Sequence, residues 1–230
     1  MAKAAPPPMI SALSVWKFLH ILLFVYWLGA DLGVFLLALA ARRADLSYEA
    51  RTLALQMAVV IDNTPRIAFA LMFPVGLELS VQIGAIEAPA TWLHALVWLV
   101  SAFWVTTVLA QMRGEGTAFG QRMHGAGLAL KWVLLVVVCA VGLASVTGHG
   151  PFPAGWLAWK VLLFGAIFAC GILIDRDFGP IVPAFARLKA EGSTPEIEQA
   201  ISAAVYGAIR WVLALYGLVL AIAFIGTVKP

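Results

Sequence analysis

Three histidines of this chain fall near one end of predicted membrane helices, where imidazole rings can bind a metal ion or a haem iron. His20 and His94 each lie about seven residues, or about 10 Å at 1.5 Å per residue, from the midpoint of an apolar segment. Both displacements point to the same side of the membrane, so the two rings are predicted at one depth. Two neutral imidazoles on separate helices can supply both axial ligands of haem b. His149, in the turn at 147–151, is a candidate third metal ligand.

Two further ionisable side chains are predicted in this outer polar layer. Glu78 lies about three residues, and Lys160 about five residues, outward of the midpoints of their segments. Ionisable groups in hydrocarbon are costly, so they normally face the interior of a helix bundle and pair there. Lys160 and Lys17 are the cations available to the propionates of a haem. The aromatic side chains available to line its ring are Trp16, Phe18, Trp92, Trp98, Trp156 and Trp159.

A second polar layer is predicted nearer the inner face. It contains Asp31, Arg210 and Arg66, the last in the segment 62–66, Asp-Asn-Thr-Pro-Arg, which is predicted to open the second helix. We expect an ion pair between Asp31 and either Arg66 or Arg210, because pairing neutralises charge inside the bundle. Such a pair serves either to lock the helices or as part of a proton path or quinone headgroup site.

The elements that position these residues are predicted to be membrane-spanning helices. Hydrophobic residues make up 63% of the 230 and charged residues 12%, and the mean hydropathy is +0.95. Apolar runs long enough to cross hydrocarbon lie at 15–39, 66–86, 92–111, 127–147, 156–174 and 205–227. The sequence therefore predicts an all-α protein, a single membrane domain of six transmembrane helices. The connection 175–204 is predicted as a loop in which Thr194 caps a short amphipathic helix that continues into the last span.

The orientation follows from the basic residues. Basic residues lie in three connections: Arg42 between spans one and two, Arg113 between three and four, and Arg187 between five and six. The two other connections, 86–91 and 148–155, contain no Lys or Arg. By the positive-inside rule both termini are predicted on the periplasmic side of a bacterial inner membrane. The net charge of +3 is then explained by basic loop residues that lie next to anionic lipid headgroups, and nucleic-acid binding is not expected. His124 is predicted as a surface residue on the inner side.

Two segments resemble a known family. The segment 16–20, Trp-Lys-Phe-Leu-His, followed by Tyr-Trp-Leu-Gly at 26–29, is similar to the first helix of the CopD and HemJ group of membrane proteins. The segment 156–163, which contains Trp156 and Lys160, resembles the start of a later helix in that group. The resemblance implies a haem b bundle that acts in copper handling or in protoporphyrinogen oxidation coupled to a quinone or respiratory chain. It also implies that His20 ligates the haem and that Lys160 is the functional lysine. The segment 62–66 and the extra helical length depart from the oxidase pattern.

The sequence thus predicts a haem b membrane redox protein, with one haem between His20 and His94, that exchanges electrons with quinone or a periplasmic carrier. Electron transfer requires positioning of the cofactor and no protein nucleophile, and no P-loop, GxSxG, HExxH or Rossmann motif is present. One alternative is a copper transport or resistance protein with a metal site of His20, His94 and His149. Another is a structural or assembly subunit without a cofactor. Oligomerisation is compatible with all three.

Overall fold

The computed structural model describes residues 10–114, 116–152 and 155–229, and within them it contains seven α-helices and no strand. Six helices are long and apolar enough to span a membrane, which confirms the predicted all-α architecture and makes this an integral membrane protein. The helices are α1 (Ala12–Ala41), α2 (Tyr48–Gln82), α3 (Thr91–Arg113), α4 (Ala118–Val146), α5 (Trp156–Phe178), α6 (Ile181–Glu191) and α7 (Pro195–Val228). All except α6 are spanning helices. We call the end of the bundle where α1, α3 and α5 begin the outer end, and the opposite end the inner end.

The predicted start of the second helix at residue 66 was wrong. Helix α2 begins at Tyr48, because the side chain of Ser47 accepts a hydrogen bond from the amide of Ala50 and caps the first turn. The segment 62–66 is therefore inside a continuous helix. Hydropathy detects only the lipid-crossing part of such a helix. At 35 residues, α2 is about 52 Å long and extends well beyond a hydrocarbon core of about 30 Å.

The predicted connection 175–204 was wrong in its first part, which is mostly helical, whereas the helix predicted to continue from Thr194 into the last span is present as the start of α7. Helix α5 continues to Phe178, α6 follows, and α7 begins at Pro195. Thr194 caps α7 as predicted, accepting a hydrogen bond from the amide of Ile197. The apolar face of α6, which includes Phe185 and Leu188, is buried in a cluster with residues of α7. Helix α4 likewise begins earlier than predicted, at Ala118.

The six spanning helices form a ring. Helix α1 packs against α2, and the contacts then follow the chain through α3, α4, α5 and α7, which meets α1 again. The interior of the ring is filled by an aromatic plug, the side chains of Trp27, Phe69, Trp104, Phe164 and Phe168. Phe69 contacts the other four, with ring centroids 4.7 to 5.2 Å apart. The plug separates polar residues at the outer end from polar residues at the inner end.

Pro74 interrupts the backbone hydrogen bonding of α2 just outward of the plug. A proline has no N–H, so the carbonyl four residues earlier, that of Ala70, loses its helical donor. The hydroxyl of Ser101 on α3 donates to that carbonyl at 2.9 Å, in a buried position. A side chain of the neighbouring helix therefore replaces the missing bond and fixes α3 against α2 at this level.

Candidate functional site

His94 lies in the first turns of α3 and is held by a carboxylate of α2. Its Nδ1 is 3.1 Å from Oε1 of Glu78, and the indole N–H of Trp98 donates to the same oxygen at 3.2 Å. In the neutral form of the imidazole the proton is on Nδ1, because a carboxylate can only accept. The other nitrogen, Nε2, is buried and has no hydrogen-bond partner. In that form Nε2 keeps a lone pair that no group of the described chain uses.

His20 lies at the contact between α1 and α2. A Cβ atom placed on Gly76 would lie 3.6 Å from Cε1 of His20, so the glycine lets the imidazole pack closely against α2. Nδ1 of His20 is buried without a hydrogen-bond partner. Like His94, His20 therefore has one buried ring nitrogen without a hydrogen-bond partner.

The contacts of the two histidines place them at similar depth but on different sides of α2. Their partners, Gly76 and Glu78, are two residues apart, which is about 3 Å along the helix axis and about 200° around it. No hydrogen bond joins His20 to His94 in the structure, and each ring approaches α2 from its own helix. His20 and His94 thus contact α2 at similar levels along its axis but from different directions.

Of the six aromatic residues of the predicted haem environment, the three most exposed are Phe18, Trp92 and Trp159, which lie on the outside of the bundle. The other three divide into two groups. Trp16 packs against Trp98 with ring centroids 6.2 Å apart, which joins α1 to α3 beside Glu78. Trp156 lies at the start of α5 under the ammonium groups of Lys160 and Lys229, at 5.8 and 5.4 Å from its ring centroid. Only the first group contacts the carboxylate that holds His94.

The predicted cations of the outer layer bond neither histidine. Lys160 packs against α7, where a Cβ on Gly226 would lie 2.5 Å from its Nζ. Glu78 bonds His94 and Trp98, and no ion pair joins it to Lys160. The side chain of Lys17 is exposed.

The remaining two histidines lie apart from the layer. His149 is exposed in the turn after α4, where its backbone N–H bonds the carbonyl of Ala144. His124 is exposed on α4, with Nδ1 3.4 Å from Oε1 of Gln111, as expected for a surface residue. Within the residues that the structure describes, no group of three His, Cys, Asp or Glu side chains is placed to hold a metal ion.

The inner polar layer is a network of ion pairs that crosses the ring. Nε of Arg66 lies 2.5 Å from Asp62 on the same helix, and its Nη2 lies 3.4 Å from Asp175 of α5. Asp175 also pairs with Lys131 of α4. Two carboxylates and two cations from three helices therefore balance one another inside the protein.

The predicted ion pair of Asp31 is absent. Arg66 pairs with Asp62 and Asp175 instead. The side chain of Arg210 is exposed and donates a hydrogen bond to Asp177 at 2.8 Å. What lies beside Asp31 is the hydroxyl of Tyr216 on α7, outside the geometry of a normal hydrogen bond. Within the described residues, Asp31 therefore lies in the inner layer without a cation at ion-pair distance.

Sequence reasoning missed Lys131, Asp175 and the buried pair of Arg51 with Glu198. The signal for Lys131 was present, since it is a single charge inside an apolar run. Asp175 was assigned to a loop because the apolar run ends one residue before it. Arg51 is 2% exposed and bonds both oxygens of Glu198, at 2.7 and 2.8 Å. That pair joins α2 to α7 at the inner end.

No family model, curated protein or solved structure matches this chain. The resemblance to the CopD and HemJ group accordingly rests on the segments 16–29 and 156–163 alone.

Proposed function

We propose that this membrane protein binds haem b at its outer end and works in electron transfer, with His94 as an axial ligand of the iron. The observation that carries the proposal is the pairing of His94 with Glu78. Metal-ligating histidines usually donate their second ring N–H to a carboxylate or carbonyl, which fixes the ring and raises its basicity. His94 has a carboxylate in this position, with its Nδ1 3.1 Å from Oε1 of Glu78, and its Nε2 is buried without a partner.

The donor set at the outer end fits a haem better than a copper ion. Neutral imidazole is a common axial ligand of haem iron, and the indoles of Trp16 and Trp98 supply apolar surface next to Glu78. A copper site of His20, His94 and His149 would need three converging rings, but His149 is exposed in a turn. His20 is the second imidazole of the outer layer, and because it contacts α2 on a different side from Glu78, holding the same iron would require its ring to move toward His94.

When bound, a haem supplies a one-electron redox centre whose potential the protein tunes. The chain's own contribution is to orient His94 through Glu78 and to exclude water with aromatic side chains. We propose quinone in the bilayer or a soluble carrier at the outer end as the exchange partner. A protoporphyrinogen-oxidase-like activity, with Lys160 as the functional residue, belongs to this proposal only through the family resemblance.

We further propose that the inner end faces the cytoplasm of a bacterium, so that both termini are periplasmic. The inner connections and helix ends are rich in arginine, whereas the outer turns at 83–90 and 147–152 contain no Lys or Arg. Cytoplasmic loops of membrane proteins carry an excess of these residues. Labelling of single cysteines introduced at Glu87 and Asp45 by a membrane-impermeant reagent in whole cells tests this, with labelling expected only at position 87.

The central experiment is a visible spectrum of the detergent-purified protein, air-oxidised and then reduced with dithionite, with iron and copper measured on the same sample. We expect a sharp reduced α-band and about one iron per chain in the wild type and in the control His124→Ala, whose ring is exposed at the inner end. His94→Ala should lose the band. His20→Ala shows whether one or two imidazoles bind the iron, since a second axial ligand gives a low-spin spectrum that its removal converts to high-spin.

The alternatives give different results in the same experiment. Bound copper without a haem spectrum would support a copper transport or resistance protein, and neither metal would support a structural subunit. A haem spectrum that His94→Ala leaves unchanged would contradict the assignment of the ligand.

A further inference from the structure

Asp31 is a carboxylic acid in the interior of the bundle with no cation to balance it. It lies one helical turn inward of Trp27, the α1 member of the aromatic plug, and is partly buried. No Lys or Arg in the described parts of the chain lies within ion-pair distance of its carboxyl group. The nearby basic residues are engaged elsewhere, Arg66 with Asp62 and Asp175, and Arg210 with Asp177.

The groups that face Asp31 come from the two helices packed against α1. From α2 these are Asp62 and Arg66, which pair with each other at 2.5 Å. From α7 it is Tyr216, whose hydroxyl is buried, lies beside the Asp31 carboxyl group and has no other partner. A neighbouring carboxylate disfavours a second negative charge, and the buried hydroxyl is available to either form of the acid.

Charge counting points the same way. Asp62 and Asp175 balance Arg66 and Lys131, so the four-residue network is neutral by itself. An ionised Asp31 would add one uncompensated negative charge in the spanning part of α1, whereas a bound proton restores neutrality. Ionisable residues inside membrane spans mark functional sites, and acidic ones occur in proton relays.

We infer that Asp31 is a proton-binding site of the inner polar layer, which exchanges its proton with water at the inner end of the bundle. The proton is carried on a carboxylate oxygen, and after its release the Tyr216 hydroxyl donates a hydrogen bond to the carboxylate. Tyr216 is thus a positioning residue. The inference is independent of the proposed haem, because it concerns the opposite side of the aromatic plug.

Infrared spectroscopy of the purified protein in nanodiscs tests this directly. When the pH is lowered below neutral, we expect a protonated-carboxyl C=O stretching band to appear that shifts in D2O and that is absent from Asp31→Asn. Asp45→Asn is the matched control, since Asp45 is exposed and its hydrogen bond from Arg43 holds the pKa of Asp45 below its usual range. Asp45 is therefore ionised at neutral pH, and its replacement should leave the band unchanged. A wild-type spectrum without this band, or one that Asp31→Asn leaves intact, would overturn the inference.

Tyr216→Phe gives a second readout that does not alter Asp31. Loss of the neighbouring hydroxyl should shift the frequency of the Asp31 band without removing it, while the helix content measured by circular dichroism stays the same. Asn has nearly the shape of a protonated Asp, so Asp31→Asn should also keep the wild-type melting temperature. If that variant does not fold, the Tyr216→Phe spectrum decides, and an unshifted band there would count against the site.

Discussion

The Glu78 carboxylate faces one ring nitrogen of His94 and leaves the other unpartnered. Its Oε1 lies 3.1 Å from Nδ1 of His94, and Nε2 on the far side of the ring is buried and unbonded. Glu78 comes from α2 and His94 from α3, so the contact between these two helices sets the direction of the imidazole ring.

Replacing Glu78 by Gln should weaken haem retention by roughly 10–100-fold, the effect typical of losing a carboxylate partner of a metal-bound histidine. The neutral amide accepts a weaker hydrogen bond from Nδ1 and makes the imidazole less basic. The midpoint potential should therefore rise, since a less basic ligand stabilises oxidised iron less. A redox titration measures this, and Glu87→Gln in the exposed turn before α3 is the control. Equal potentials in all three proteins would exclude a role of Glu78.

Arg51→Ala should lower the free energy of unfolding by about 3–5 kcal/mol, because it leaves the Glu198 carboxylate without its buried partner. The guanidinium is 2% exposed and also donates to the carbonyl of Ala41 at 2.9 Å. Removing both Arg51 and Glu198 should cost less than the sum of the single variants. Denaturant unfolding in detergent micelles provides the numbers.

The control for that cycle is the pair of Arg43 with Asp45, whose side chains are 56% and 63% exposed. Its removal should leave the free energy of unfolding close to that of the wild type, because exposed ion pairs contribute little to stability. If the Arg51 and Glu198 variants were additive, the two side chains would not be coupled.

Phe69→Ala should cost about 3–5 kcal/mol, since the ring is the centre of the aromatic plug and its loss leaves a cavity. It contacts aromatic side chains of α1, α3 and α5, so one truncation loosens three helices. Phe224→Ala is the matched control, because that ring is 65% exposed on the outside of the bundle. Thermal melts should separate the two variants clearly, and equal melting temperatures would contradict the role of the plug.

Ser101→Ala should destabilise the protein by about 1–3 kcal/mol, the cost of a buried polar group that has lost its partner. The group is the carbonyl of Ala70, which Pro74 already leaves without a helical donor. Thr106→Ala removes a hydroxyl that bonds only Ala102 of its own helix at an exposed position, and it should be close to neutral. The comparison is made by chemical denaturation of both variants under one condition.

The number of spanning helices was predictable because a chain in lipid must satisfy its backbone hydrogen bonds internally, and an apolar helix does so. The similar level of His20 and His94 was also predictable, since each residue of a helix adds the same rise along its axis. The direction from which each imidazole approaches α2 could not be predicted, because it depends on which helices pack against one another. The partner of Arg66 was missed for another reason: Asp175 lies past the end of an apolar run, and only the structure shows that α5 continues to Phe178.

Pro74 gives the outer end of α2 a mechanical consequence. Proline removes one backbone bond and commonly bends a helix, and here it lies between the aromatic plug and the last two turns. Those turns carry Gly76 against His20 and Glu78 against His94. Both histidines therefore contact one short segment of α2 beyond the proline, and a change in the bend at Pro74 would displace both contacts together.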